Sequence, residues 1–94
     1  MDKFETVIIL KPTIDQGKRN QVITQIEEFI NEIGTLTRLE ELEEKKLAYE
    51  VQGHKFGYYV VLEFDADSSF KEKLEKRYKE IEEIIKFIVV RRDE

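Results

Sequence analysis

The apolar residues of this chain keep changing their spacing, and the order of those changes limits the folds open to it. In FETVIIL, residues 4–10, they alternate. Phe4, Thr6, Ile8 and Leu10 fall on one side and Glu5, Val7 and Ile9 on the other, which predicts a strand. Pro12 cannot donate to a ladder and ends it. Thr13 with Gln16 predicts a capping box, and Asp15 favours the positive end of the following helix. Val22, Ile26, Phe29, Ile30 and Ile33 then fall at helical spacing, and Gly34 is placed to terminate that helix.

Residues 36–52 favour extended chain with a very polar middle, and glycines at 53 and 57 predict the connection to a strand over residues 58–64. DADSS breaks the pattern, and Ser69 with Glu72 predicts a second capping box. Phe70, Leu74, Tyr78 and Ile81 share one face of a second helix. Ile85, Phe87 and Val89, interleaved with Ile84, Ile88 and Val90, predict the last strand, closed by RRDE.

Strand-helix-strand twice over is the split βαβ, or ferredoxin-like, arrangement. The expectation is an α+β fold of order βαββαβ, with both helices on one face of a four-stranded antiparallel sheet. Its 94 residues leave room for one domain, 1–94, with no linker and no second core. The expected strand order is fourth, first, third, second, which puts the charged second strand at an edge. There EELEE runs into KKLAYEV, and alternating glutamate and lysine discourages pairing with stray chains.

Two helices cover only one sheet face, yet Val7, Ile9, Tyr59, Val61, Ile84 and Ile88 carry apolar character to both. Some of them must face water and form a patch of the kind that marks a partner site. A homodimer through that face, serving a ligand-binding or regulatory module, is the alternative reading.

Composition narrows the function. The net charge of −5 argues against autonomous nucleic-acid binding, which relies on clustered cations releasing counterions. A local basic patch or a basic partner could still supply it. The absence of cysteine excludes disulfides and thiolate metal sites. The start of the chain reads as neither a signal peptide nor a spanning segment, so the cytoplasm is the expected compartment. His54, the only histidine, sits in a glycine-flanked turn with no orienting partner, and reads as a surface residue. VQGHKFG resembles the phosphate loop of acylphosphatases, but Lys55 stands where that chemistry needs an arginine. HKFGYYVVLEF shares the flavour of the RNA-recognition-domain signature in a different order. No catalytic residue, cofactor or metal site is expected, and the chain reads as a non-enzyme.

A closer resemblance covers nearly the whole chain. FETVIILKP, the long helix ending at Gly34, KKLAYEV followed by GYYVVLEF, and KLEKRYKEIEEIIKFIVVR are similar to the family of the sixth protein of the bacterial small ribosomal subunit. The family's aromatic-glycine pair before the basic run is replaced by Leu42 and Glu43, and several family arginines are Lys76, Lys79 and Lys86. Lysine there lacks the planar fork that grips phosphate bidentately.

The resemblance implies a structural ribosomal protein. It would bind the central domain of small-subunit ribosomal RNA together with a small basic partner, the eighteenth protein of that subunit. No membrane or small-molecule substrate is implied. For RNA the candidates are Arg91, Arg92, Lys86, Lys79 and Lys3, with the terminal arginine pair first, because little packing restrains it. Asp93 and Glu94 are expected to turn aside. Partner candidates are Tyr59, Val61, Tyr49, Val7 and Ile88. Lys45 and Lys46 are assigned mainly to edge protection, at a site separate from the arginines.

Overall fold

A computed structural model describes residues 1–92. Strand β1 (Asp2–Leu10) leads to helix α1 (Gln16–Ile33), then to the hairpin of β2 (Gly34–Val51) and β3 (His54–Ala66). A 3-10 turn, Ser68–Phe70, runs into helix α2 (Lys71–Glu80), and β4 (Ile84–Arg91) closes the fold. The sheet is antiparallel throughout, in the order β2-β3-β1-β4. This is the expected ferredoxin-like topology, with the charged strand at an edge.

Both capping expectations need correction. Asp15 is the N-cap of α1, its carboxylate accepting from the Lys18 amide at 2.8 Å. Thr13 lies in the turn before it, two residues ahead of the cap position. At the second site Asp67 accepts from the Ser69 amide at 2.9 Å and starts the 3-10 turn. That bond holds the Asp67 carboxyl below its usual range. Helix α2 then grows out of that turn without a side-chain cap of its own. Gly34 does end α1, its amide donating to the Ile30 carbonyl before the chain extends directly into β2.

The covered face of the sheet is nearly dry. Phe4, Thr6, Ile8 and Leu10 of β1 and Val60, Leu62, Phe64 and Ala66 of β3 are buried. They form one core with Val22, Ile26, Phe29 and Ile30 of α1 and Leu74 and Tyr78 of α2. Each fully buried aliphatic side chain there contributes roughly 1.5–3 kcal/mol. Thr6 is the buried polar member. Its hydroxyl donates to the Ile88 carbonyl at 2.9 Å and accepts from the Tyr78 hydroxyl at 3.2 Å, so neither polar group is stranded. Burial pushes the Tyr78 phenol well above its usual value.

The hairpin holds the main departure from expectation. Its turn is only Gln52 and Gly53, both at positive φ (49° and 82°), as a type I′ connection demands. His54 therefore begins β3 beside the turn, and Gly57 lies inside the strand rather than in a connection. Between Lys46 and Val51 the pairing with β3 slips. The displaced segment drops Leu47 onto Ile9 and Ile85, with Val51 and Tyr59 packed alongside, as a second small core. Gly57 permits this, because a Cβ there would overlap the Ile9 Cγ2 methyl. So Ile9 is on the uncovered face yet buried, and Ile84 belongs to the main core.

Further slips between Leu36 and Arg38 and between Glu41 and Glu43, with Glu43 at φ 69°, kink β2. Bulges of this kind twist an edge away from stray strands and add to the protection given by its charges.

Candidate partner and nucleic-acid interface

Strand register sorts the uncovered face into rows, because residues directly opposite one another share a face. In one row Ile88, Val7 and Val61 lie side by side and end at Glu40 on the edge strand. Val7 and Val61 are half-buried, while Ile88 is 49% exposed and its neighbour Val90 is 42% exposed. These valines and isoleucines have no helix above them, and their period-two placement is what puts them there. Tyr59 sits on the same face, half-buried against the small hairpin core.

The next row toward the end of β4 is ionic. Val90, Glu5, Glu63 and Arg38 are aligned across the sheet. Glu5 and Glu63 face each other directly, an arrangement that repels unless cations intervene. Arg92 Nη1 reaches Glu5 at 2.7 Å and Glu63 at 3.8 Å. Arg38 completes the chain with bonds of 2.7 Å to Glu63 and 2.6 Å to Glu40. The hydrogen bond to Glu63, reinforced by the charge of Glu40, holds the Arg38 guanidinium above its ordinary pKa.

This network changes the expectation for the terminal arginines. Alternation sends Arg92 to the uncovered face and Arg91 to the helix side. There Arg91 is 3.1 Å from Asp2 and lines a groove of ≈ 170 Å³ with Phe70, Lys71 and Val89. The Arg92 amide also donates to the Lys3 carbonyl at 2.8 Å. The pair is thus held by carboxylates and backbone rather than loosely packed, although both side chains stay about half exposed. Asp93 and Glu94 lie outside the described residues.

The other basic candidates separate as well. Lys3 shares a cleft of ≈ 130 Å³ with Arg92, Thr37 and Asp65. Lys79 and Lys86 line a depression of ≈ 380 Å³ around the start of β4. The displaced hairpin reaches that same end. Lys86 Nζ donates to the Tyr49 hydroxyl at 2.8 Å, and Gln52 Nε2 lies 3.5 Å from the Ile85 carbonyl. The bond to Lys86 lowers the Tyr49 phenol below its usual value. Tyr49 thus stands beside Lys86, which shares the uncovered face with Ile88 two residues further along β4. Lys45 and Lys46 are exposed on the far edge strand, opposite Gly57 and Phe56.

Arg38 escaped the sequence reading. The available signal was Glu63 and Glu40, carboxylates on the outward phase of neighbouring strands that call for a cation beside them. Among the described residues no cluster of His, Cys, Asp or Glu could hold a metal ion. What the geometry defines is a ferredoxin-like module with one sheet face left uncovered by helices.

The chain belongs to the ribosomal protein S6 family, whose family model matches residues 3–91. The protein named small ribosomal subunit protein bS6 from Alkaliphilus oremlandii is 32% identical over 97% of each chain. The protein of the same name from Acidobacterium capsulatum is 36% identical over 100% of this chain and 68% of its own length. Among solved structures, 30S ribosomal protein S6 from Thermotoga maritima matches with a TM-score of 0.92 and 27% identity, over 97% of this chain and 87% of that one. Family membership makes the chain a structural, ribosome-associated component of the small subunit and not an enzyme. None of its described helices is long and apolar enough to cross a membrane.

Proposed function

We propose that the chain, acting in the cytoplasm as one ferredoxin-like domain, holds a small basic ribosomal protein on its uncovered sheet face. The pair then binds the central domain of small-subunit ribosomal RNA, and the partner is the eighteenth protein of that subunit. The observation that carries this reading is the row Ile88, Val7 and Val61, apolar and without a helix above it, in a chain of net charge −5. Apolar contact holds the pair, and Glu43, opposite Tyr59 on the acidic edge strand, complements a basic partner. The partner brings most of the phosphate affinity, which this chain, with net charge −5 and Arg91 and Arg92 engaged by its own acids, supplies only weakly by itself.

Ile88→Glu tests the reading, because it places a charge at the exposed end of the apolar row in the proposed contact. Association with the partner, followed by calorimetry, should weaken by at least about tenfold, the equivalent of 1.4 kcal/mol. The circular dichroism of the isolated variant should stay unchanged. Unaltered association would overturn the assignment of this face. In filter binding, submicromolar affinity of the chain alone for the central-domain RNA would overturn the dependence on a partner.

A further inference from the structure

The two ends of β4 treat their cations differently. At the far end Arg91 and Arg92 are engaged by carboxylates. At the near end Lys79 and Lys86 make no ion pair with any described residue, and the depression they line with Gln52, Ile85 and Phe87 has no carboxylate in its wall. Beside it stands Tyr49, 65% exposed, on a hairpin end anchored by Leu47 against Ile9 and Ile85. Lys86 Nζ lies 4.7 Å from the ring centroid while bonding the hydroxyl, so it fixes the ring's orientation and leaves most of its surface to solvent. An aromatic ring already oriented by the Lys86 ammonium, with Lys79 lining the adjoining depression, loses little conformational entropy when a planar ligand arrives.

We propose that Tyr49, Lys86 and Lys79 form a subsite for one unpaired RNA nucleotide. Its base stacks on the exposed Tyr49 ring and its phosphate lies between the two ammonium groups. Stacking on an aromatic platform tolerates any base, because every base has a π-face, and the lysines supply the point charges that track a backbone. A protein partner fits this end less well, since lysine is depleted at the centres of protein interfaces. The apolar row, which begins at Ile88 two residues further along β4, has the opposite character. The subsite rests on the RNA-binding reading above and assigns that activity a place. It also moves Tyr49 from partner contact to RNA contact.

The test is a fluorescence-anisotropy titration of a labelled short single-stranded oligoadenylate with the full chain at low salt, beside an RNA duplex of the same length. Tyr49→Ala should weaken binding to the single strand by about tenfold, whereas Tyr49→Phe, which keeps the ring, should retain most of it. Lys79→Ala and Lys86→Ala should each flatten the slope of log affinity against log salt by about 0.7. The proposal is overturned if the single strand does not bind, or if Tyr49→Ala binds it as the parent does. An equal loss with the duplex overturns stacking. A Tyr49→Ala defect confined to association with the basic partner would assign the ring to the protein interface instead. The titration contains no partner, so its failure leaves the heterodimer to stand or fall on Ile88→Glu.

Discussion

The two faces of this sheet are built from the same strands and much the same residue types, yet they solve different problems. On the covered face every second residue from Phe4 to Leu10 of β1 and from Val60 to Ala66 of β3 is buried, and its polar pair, Thr6 and Tyr78, is satisfied internally. On the other face the same alternation leaves Val7 and Val61 half-buried and Ile88 exposed, and the polar residues form an ion chain across the strands. The contrast teaches that alternation divides residues between faces without saying which face will be covered. Coverage depends on what packs above. Here two helices close one side, and a slipped hairpin closes only a corner of the other.

The largest expected effect breaks the contrast at adjacent residues of β3. Leu62→Ala, at a fully buried site, should destabilise the fold by about 2–5 kcal/mol in a urea titration. Val61→Ala, next in sequence but half-buried on the other face, should cost no more than about 1 kcal/mol. Equal losses would mean that the second face is also core.

Tyr78→Phe probes the polar pair inside the covered face. It should cost about 0.5–1.5 kcal/mol at neutral pH, because Thr6 keeps its bond to the Ile88 carbonyl. Burial raises the Tyr78 pKa above that of an unfolded tyrosine, about 10. The folded state therefore holds the phenolic proton more tightly. Its contribution is complete below that unfolded value and is lost as pH rises toward the folded one. Stability should fall in alkali, and the Phe variant should fall less. An unchanged alkaline slope would show that the phenol is not the group being titrated.

Arg92→Ala should have the smallest effect, about 0–1 kcal/mol, because its ion pairs are substantially solvated. It leaves Glu5 and Glu63 facing each other, with only Glu63 still held, by Arg38 from the edge strand, so the loss should shrink as salt is added. A loss insensitive to salt would indicate packing rather than charge.

Much of this was legible along the chain because it depends on local period. The face of Phe4, Thr6, Ile8 and Leu10, the apolar stripe of α1, the close of that helix at Gly34 and the uncovered positions of Val7, Val61 and Ile88 all follow from spacing and covalent geometry. The strand order followed from the sequence of elements, since short connections and a charged strand suited to an edge leave few alternatives. Other features needed the tertiary structure. Thr13 and Asp15 are both competent caps, and only the actual first turn of α1 chooses Asp15. The slip after Lys46 depends on Leu47 finding Ile9 and Ile85, and on Gly57 having no side chain in the way. That slip carries Tyr49 across to Lys86, residues separated by 37 positions in the sequence. The pairing of Arg92 with Glu5, 87 positions apart, likewise exists only once β1 and β4 lie side by side. Spacing along a chain encodes which way a side chain points; which distant residue it meets is decided when strand register and packing are settled together.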